Sequence, residues 1–330
     1  MDYNKVNFSV CSCPLKENKS LSKKERYEER NKIINEGKKS SNPEILIAAN
    51  RLERDNRAVE RAKLSEHVYK SNLRPVESAP EGWKQLDDKE LVKLGIDPKD
   101  LVDEKSGFKA AIYKSDFENP PKTVIAFAGT EDGPDIKADL TQGLALETKQ
   151  YNQATLLTSD LSSVLGPQNV ETTGHSLGGG LAAMGSAKVG CKATTFNAAG
   201  LSPKTAERLN VDRETLAAHS NDVDAFNSSN DPLSVAQDNS GLIKAGITAS
   251  ATVLSGGLGA ALGLALSNPD ILASALGNRY EIPAAPQNEL SWRDKLLHPL
   301  NSALTGHGSS QVIENIENEK NNDVSKILNK

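Results

Sequence analysis

The sequence has few of the residues that build disulfide or metal scaffolds. It contains three cysteines, Cys11, Cys13 and Cys191, and five histidines scattered along 330 residues. Three cysteines cannot form a disulfide framework, and a Cys-x-Cys pair with no second pair at ligand spacing makes a poor zinc site. We therefore expect a chain that folds in a reducing compartment without a metal.

The first twenty residues also lack a secretory signal. They contain Asp2, Lys5, Lys16 and Glu17, and no uninterrupted apolar stretch ends in a small-residue cleavage site. This predicts a protein made in the cytoplasm. If it acts outside its cell, a route other than a signal peptide exports it.

Charge is unevenly distributed along the chain. Residues 1–63 contain 15 Lys and Arg against 10 Asp and Glu, which leaves a net charge of −10 for the rest of a chain whose total is −5. The main part of the chain is therefore acidic, which argues against nucleic acid as a partner.

Composition and periodicity predict three regions. Residues 1–42 are polar and are expected to form a flexible arm, because they offer few apolar positions to a core. Residues 43–76 place apolar side chains at helical spacing, which predicts an amphipathic helix packed on the main domain. Residues 77–330 are expected to form the catalytic domain, with an apolar insertion at about 241–277.

Within the catalytic domain, short β-branched and aromatic runs alternate with helical stretches. This predicts an α/β fold with a mostly parallel central sheet flanked by helices. The expected strands are 108–115, 122–128, 169–174, 192–197 and 223–227, and the expected helices are 147–165 and 177–189.

A nucleophile elbow stands at the junction of one strand and one helix. The strand ends in Gly174, His175, Ser176, Leu177 and Gly178, and small helix-forming residues follow. A serine on so sharp a turn needs glycines around it, where a Cβ would collide with its neighbours. The alternative is a Gly-rich turn that carries a serine by chance. A phosphate-binding loop is disfavoured, because no Gly-Lys-Ser or Gly-Lys-Thr follows the strand.

The general base is sought among the histidines that follow the elbow, because this fold orders its triad as Ser, acid, His. His307 lies in a Gly-flanked loop before a final amphipathic helix, and we favour it over His298, which precedes a proline. His219 comes too early in the chain, while His67 and His175 lie outside the expected order.

The acid is sought between the elbow and that histidine. Asp231 follows the strand candidate 223–227, and we select it over Asp222 and Asp224. The alternative for Asp231 is an Asp-Pro turn in which the carboxylate only caps the backbone.

The oxyanion hole needs two N–H donors. Leu177, directly after the nucleophile, supplies one, and Thr130, in the loop that follows the strand candidate 122–128, is expected to supply the other. A simple Gly-containing strand end is the alternative for that loop.

These motifs, taken together, resemble a known family. Phe-x-Gly-Thr, Gly-His-Ser-Leu-Gly-Gly, Asn-Asp-Pro-Leu and His-Gly-x-x-Gln-Val-Ile occur in that order over residues 105–316. They resemble the class 3 lipase family, nearest to bacterial phospholipases of the A type and lipase effectors of type VI secretion. Together with the alternating strands and helices, they predict a lipase-like α/β-hydrolase fold with an N-terminal helical arm and an apolar helical insertion. The resemblance implies a triad of Ser176, Asp231 and His307 with Thr130 and Leu177 at the oxyanion hole. Ala128 departs from it, because the family usually has arginine there.

Residues 247–266 contain no charge and are long enough to span a membrane. One crossing would separate Asp231 from His307, so a spanning helix and an active triad exclude each other. A buried helical insertion and a lid that lies on a bilayer remain as readings of this segment.

The expected function is hydrolysis of a lipid acyl ester at a phospholipid membrane surface, without a metal or organic cofactor. An antibacterial effector would also have an immunity protein and a secretion-machine component as partners. The alternatives are an esterase or thioesterase on small acyl substrates, a membrane-inserting toxin with a vestigial triad, and a non-catalytic adaptor.

Overall fold

The chain folds as a mixed α/β protein. The computed structural model describes residues 20–71, 77–129, 136–201, 203–229, 231, 234, 275–283 and 308–329, with the backbone alone for 136–148 and 203–204. Its helices are α1 (Lys23–Lys38), α2 (Pro43–His67), α3 (Asp88–Lys93), α4 (Ile136–Leu165), α5 (Leu177–Val189), α6 (Pro203–Arg208), α7 (Arg213–His219) and α8 (Ser309–Leu328). Its strands are β1 (Trp83–Gln85), β2 (Val102–Asp103), β3 (Phe108–Ser115), β4 (Thr123–Phe127), β5 (Val170–His175), β6 (Lys192–Phe196), β7 (Val223–Ser228) and β8 (Asn278–Ile282).

The strands form one mostly parallel sheet. Its order is β1-β3-β4-β5-β6-β7-β8, with β2 beside β3. Strands β4 to β8 pair in parallel, while β1, β2 and β4 pair antiparallel to β3. This confirms the predicted fold class. The five predicted strands match β3 to β7 to within one residue at each end.

Helices cover both faces of the sheet because its buried strands carry apolar side chains on both sides. Ile112 and Ile125 pack with α4 and α5 on one face. Tyr113 and Ala126, the next residues along the same strands, pack with the end of α2 on the other face. A sheet that is buried on both faces needs both covers, and here one comes from helices in the middle of the chain and the other from a helix near its start.

Helices α1, α2 and α8 form what we call the helical layer. Ile34 of α1, Leu52 of α2 and Ile327 of α8 share one small apolar core. Helix α2 lies within the predicted amphipathic segment 43–76 and carries this layer against the sheet.

The prediction of a flexible arm over residues 1–42 is wrong for helix α1. A capping box joins Ser22 and Glu25 at its first turn. Gly37 lets the helix approach α2 closely, because a Cβ there would lie 2.7 Å from the Cβ of Ala49. Lys23 also binds Glu60 of α2 at 2.5 Å. A count of apolar residues does not reveal that one row of buried residues and several ion pairs suffice to dock a polar helix.

A buried guanidinium joins helix α2 to the sheet. Arg61 is 1% exposed and donates to Glu171 of β5 at 2.7 Å and to Glu118 at 2.9 Å. Burial by itself lowers the pKa of Arg61, but the two carboxylates raise it above its ordinary value. The guanidinium therefore stays charged, and the layer depends on its ion pairs.

Two predicted features lie outside the described residues, namely the first part of the arm, residues 1–19, and nearly all of the apolar insertion at 241–277. Within the ranges that the structure describes, no helix combines the length and the apolar character that a membrane crossing requires.

Candidate active site

The predicted elbow lies where β5 ends and α5 begins. Ser176 has φ 57° and ψ −125°, a conformation that residues with a side chain rarely adopt. Its N–H donates to the Phe196 carbonyl at 3.0 Å, and its carbonyl accepts from Ala199 N at 2.9 Å. Backbone bonds to the end of β6 thus hold the strained serine in place.

Glycines make room for this turn. A Cβ at Gly174 would lie 2.2 Å from the carbonyl oxygen of Gly178, and one at Gly178 would lie 2.2 Å from that of Phe127. These neighbours are backbone atoms, so neither position can take a larger residue without moving β4, β5 or α5. The elbow is therefore packed against the end of β4, where the predicted oxyanion loop begins.

Leu177, the first predicted oxyanion donor, lies directly after the elbow serine. Leu177 is the first residue of α5, and the N–H groups of a helix's first turn have no partner within the helix. Gly179 N and Gly180 N turn back to the Ser176 carbonyl at 3.0 and 3.3 Å. Among the described residues, no hydrogen bond uses the Leu177 N–H, which leaves it free to receive a negative oxygen next to Ser176.

Asp231 lies just past the end of β7, at the same edge of the sheet. Its N–H donates to Ser228 O at 3.0 Å, and its side chain is fully buried. Its Oδ2 accepts from Ser234 N at 2.7 Å and from Ser234 Oγ at 2.5 Å. The turn thus holds one carboxylate oxygen firmly.

Asn197 links the elbow to the turn that contains Asp231. It follows β6 with φ 44° and is fully buried. Its N–H donates to Phe226 O at 2.8 Å, and its Oδ1 accepts from Ser228 N at 2.8 Å. Because Ser228 also receives the Asp231 N–H, the ends of β5, β6 and β7 form one connected unit. The sequence analysis did not single out Asn197 or Ser234, since neither belongs to a catalytic motif.

The structure separates Asp231 from its two rivals. Asp222 and Asp224 lie at the start of β7, the opposite edge of a parallel sheet from Ser176. Asp222 is bound by Lys192 at 2.8 Å and by His219 Nδ1 at 3.0 Å. Burial raises the pKa of Asp224. Neither carboxylate lies at the carboxyl edge with the elbow.

The remaining histidines of the described chain have structural partners. His67 ends helix α2, is buried, and lies 2.8 Å from the Tyr113 hydroxyl through Nδ1. Burial lowers the pKa of His67, which keeps the ring neutral near pH 7. His175 is buried at the end of β5, and His219 pairs with Asp222. His298, His307 and Thr130 lie outside the described residues.

A charged cavity of about 670 Å³ opens at the amino edge of the sheet, beside helix α2. Arg54, Arg57, Lys192 and Asp224 are among the residues that line it. It lies between helix α2 and the sheet, at the opposite edge from Ser176. Over the part of the chain that the structure describes, no cluster of three or more His, Cys, Asp or Glu side chains could hold a metal ion.

Two comparisons with known proteins match this region. Residues 60–286 match a family model described as phospholipase-like, Tle-like phospholipase domain. The chain is also 33% identical over 261 residues to the extracellular phospholipase A1 of Serratia liquefaciens, an alignment that covers 78% of this chain and 70% of that protein. The segment 60–286 contains Ser176, Leu177 and Asp231 and ends before His307.

Proposed function

The chain belongs to the family of Tle-like phospholipases and is a lipid ester hydrolase, and from this premise we propose that it cleaves a phospholipid acyl ester with a triad of Ser176, Asp231 and His307. One observation carries the proposal. Ser176 takes a strained backbone conformation at a strand-to-helix turn, packed by glycines against β4. That geometry holds a hydroxyl at the helix N-terminus, where a negative oxygen is stabilised.

The reaction follows the acyl-transfer scheme of a serine triad. Ser176 Oγ attacks the ester carbonyl carbon while His307 takes the hydroxyl proton, and Asp231 orients the imidazole. The N–H groups of Leu177 and Thr130 bind the negative oxygen of the tetrahedral intermediate. Its collapse leaves acyl-Ser176, and the lysophospholipid leaves with the proton from His307. Water, deprotonated by His307, then attacks the acyl carbonyl carbon. The bond to Ser176 Oγ breaks, His307 returns the proton to that oxygen, and the fatty acid is released. These steps require no metal or organic cofactor.

The position of helix α8 supports His307 over His298 as the base. Ser310, in the first turn of α8, donates to Glu66 of α2 at 2.5 Å. Three residues further on, the Tyr69 hydroxyl accepts from Gly129 N at 2.9 Å, beside the elbow. The start of α8 therefore lies near the carboxyl edge, and His307 precedes Gly308 at that end. His298 is separated from α8 by ten further residues.

The first experiment measures fatty acid release from phospholipid vesicles by wild type, Ser176→Ala and the control Ser163→Ala. Ser163 is exposed near the end of α4, which leads into the amino end of β5, whereas Ser176 follows the carboxyl end of that strand. We expect Ser163→Ala to match wild type and Ser176→Ala to lose at least about 10³-fold in rate. Release by Ser176→Ala at the wild-type rate contradicts the proposal. Dye leakage from the same vesicles with wild type and with Ser176→Ala, when neither releases fatty acid, supports membrane insertion instead.

The base and acid are tested with matched substitutions. His307→Ala and Asp231→Asn should each lose about 10³-fold or more in kcat, because each removes a member of one unit. His298→Ala should keep the wild-type rate. A loss in His298→Ala with full activity in His307→Ala would reverse the assignment of the base.

We further propose cleavage at the sn-1 position, as the name of the Serratia relative suggests for that protein. Vesicles of a phospholipid with palmitate at sn-1 and oleate at sn-2 distinguish the positions. Palmitate as the first product supports sn-1 cleavage, whereas oleate as the first product contradicts it. A small thioester in the same assay tests the esterase and thioesterase alternatives.

An antibacterial effector role follows from the family description and is likewise proposed. Such a protein is delivered by the type VI route to a target membrane and is neutralised in its own cell by an immunity protein. Fusing a periplasmic export signal to wild type should arrest growth of a bacterial host, and the same fusion of Ser176→Ala should not. Arrest by both fusions, or by neither, contradicts the role.

A further inference from the structure

The hydroxyl of Tyr69 lies at the junction of the oxyanion loop and the elbow. It accepts a hydrogen bond from the backbone N–H of Gly129 at 2.9 Å. A Cβ at Gly129 would be 2.8 Å from this hydroxyl oxygen, 2.9 Å from the His175 carbonyl oxygen and 3.3 Å from Gly178 N. The helical layer, the loop after β4 and the elbow therefore meet around one residue.

Tyr69 is itself held in place by its surroundings. Its ring packs with the apolar cluster that contains Leu64, Val68 and Ala128. Lys109 Nζ donates to the Tyr69 carbonyl, and the Lys109 carbonyl accepts from Ala128 N at 2.9 Å. Strand β3 thus fixes both the tyrosine and the residue before Gly129, so the hydroxyl has a defined position relative to the loop.

The Gly129 hydrogen bond matters because of what comes next in the chain. Gly129 precedes Thr130, whose N–H is the second proposed oxyanion donor, and Ala128 has no side-chain group that could anchor the loop. The bond to Tyr69 occupies the Gly129 N–H and limits rotation of the backbone at this residue. An oxyanion donor is effective only when it is oriented before the reaction begins.

We propose that Tyr69 is a positioning residue for the hydrolysis, which orients the oxyanion loop by accepting the Gly129 N–H. This inference rests on the proposed function. It assigns the turn that directly follows helix α2 of the helical layer a part in catalysis. The hydroxyl does not contact the reacting atoms in this scheme, so it acts through the loop.

The predicted effect is on kcat. The negative charge on the oxygen develops in the transition state that leads to the tetrahedral intermediate and is absent from the bound ester, so a poorly oriented donor lowers kcat and changes KM little. Removal of a donor typically costs 10²–10³ in rate, and a loosened one costs less. We expect Tyr69→Phe to lower kcat about tenfold while KM changes by less than about twofold.

The control is Tyr113→Phe, because Tyr113 ties the same end of α2 to the sheet through His67 Nδ1 at 2.8 Å, whereas the Gly129 N–H is bound by Tyr69. Phenylalanine keeps the ring packing at both positions. Each full-length variant is assayed for release from phosphatidylethanolamine and phosphatidylglycerol vesicles, for the rate of Ser176 labelling by a fluorophosphonate, and for Tm, with Ser176→Ala as reference.

The expected result is a fall in kcat and in labelling rate for Tyr69→Phe with Tm near that of wild type, and a lower Tm with wild-type kcat for Tyr113→Phe. Wild-type kcat and labelling in Tyr69→Phe, with Ser176→Ala inactive, overturn this inference and leave the proposed function in place. Equal falls in kcat for both tyrosine variants also overturn it, since they indicate a structural role. Full release by Ser176→Ala overturns the proposed function, and this inference with it.

Discussion

The elbow and the helical layer hold their geometry by different means. At the elbow, backbone hydrogen bonds and glycines without space for a Cβ constrain Ser176, and the contacts involve few charges. In the helical layer, charged pairs such as Arg61 with Glu171 and Arg51 with Asp323 join the helices to each other and to the sheet. Catalysis should therefore depend on backbone shape, and attachment of the layer on charge and pH.

Arg61→Met should produce the largest loss of stability and should spare catalysis in the folded fraction. It removes a buried guanidinium and leaves Glu171 and Glu118 without their partner, which costs about 3–5 kcal/mol. Urea unfolding of wild type and Arg61→Met measures this cost. Adding Glu171→Gln to Arg61→Met should recover part of it. A loss below about 1 kcal/mol would show that this ion pair does not carry the layer.

Gly178→Ala tests whether catalysis depends on the backbone shape of the elbow. The new Cβ meets backbone atoms of β4, so we expect a loss of about 3 kcal/mol together with nearly all activity. Gly185→Ala is the matched control on the same helix, because its Cβ would make an equally close contact, 2.4 Å to Oγ1 of the buried Thr158, at a position away from the elbow. Equal kcat in both variants, measured on folded protein, would contradict a special role for the elbow.

Asp55→Asn tests whether the stability contributed by the helical layer depends on pH. Burial raises the pKa of Asp55 to about 6, although Arg54 lowers it through a hydrogen bond and its charge. The folded protein thus binds a proton that the unfolded chain, with an ordinary pKa of about 3.9, has lost. This carboxyl therefore lowers the free energy of unfolding as pH rises from about 4 to about 6, and the full loss persists above that.

The substitution removes that titration. We expect the difference in unfolding free energy, Asp55→Asn minus wild type, to be about 2 kcal/mol more favourable at pH 8 than at pH 4. Urea unfolding of both proteins at the two pH values checks it. A difference that is the same at both pH values contradicts the assignment.

Ser234→Ala should have the smallest effect and should act on the reaction alone. The Ser234 hydroxyl has one proton, and at 2.5 Å the Asp231 carboxylate receives it rather than Asn227 Oδ1 at 3.1 Å. Its loss should raise the barrier by about 1 kcal/mol, or lower kcat about fivefold. Ser186→Ala, which removes a buried hydroxyl bound to Cys191 O, should keep wild-type kcat.

Burial and apolar composition decide which parts of the fold can be predicted from the sequence. Strands β3 to β7 are buried and rich in apolar or β-branched residues, so periodicity locates them to within one residue. Strand β8 is missed, because Asn278–Ile282 is a mostly polar strand that pairs with β7 alone among the described strands. Helix α1 is missed since capping, a close approach and ion pairs do not appear in an apolar count.

The candidate site divides in the same way. The elbow is a local motif, so Ser176, Leu177 and the glycines are found from adjacent residues. Tyr69, Asn197 and Ser234 contact it through partners distant in sequence or through a turn with no motif, and only the folded chain brings them together.

The central claim is that Ser176 is the nucleophile, and covalent labelling tests it most directly. The full-length protein is treated with a fluorophosphonate at pH 7, and intact mass and peptide masses are measured. We expect a single adduct on Ser176 that forms in step with loss of fatty acid release. Complete loss of release with the adduct on another residue, or full release from protein labelled at Ser176, would contradict it.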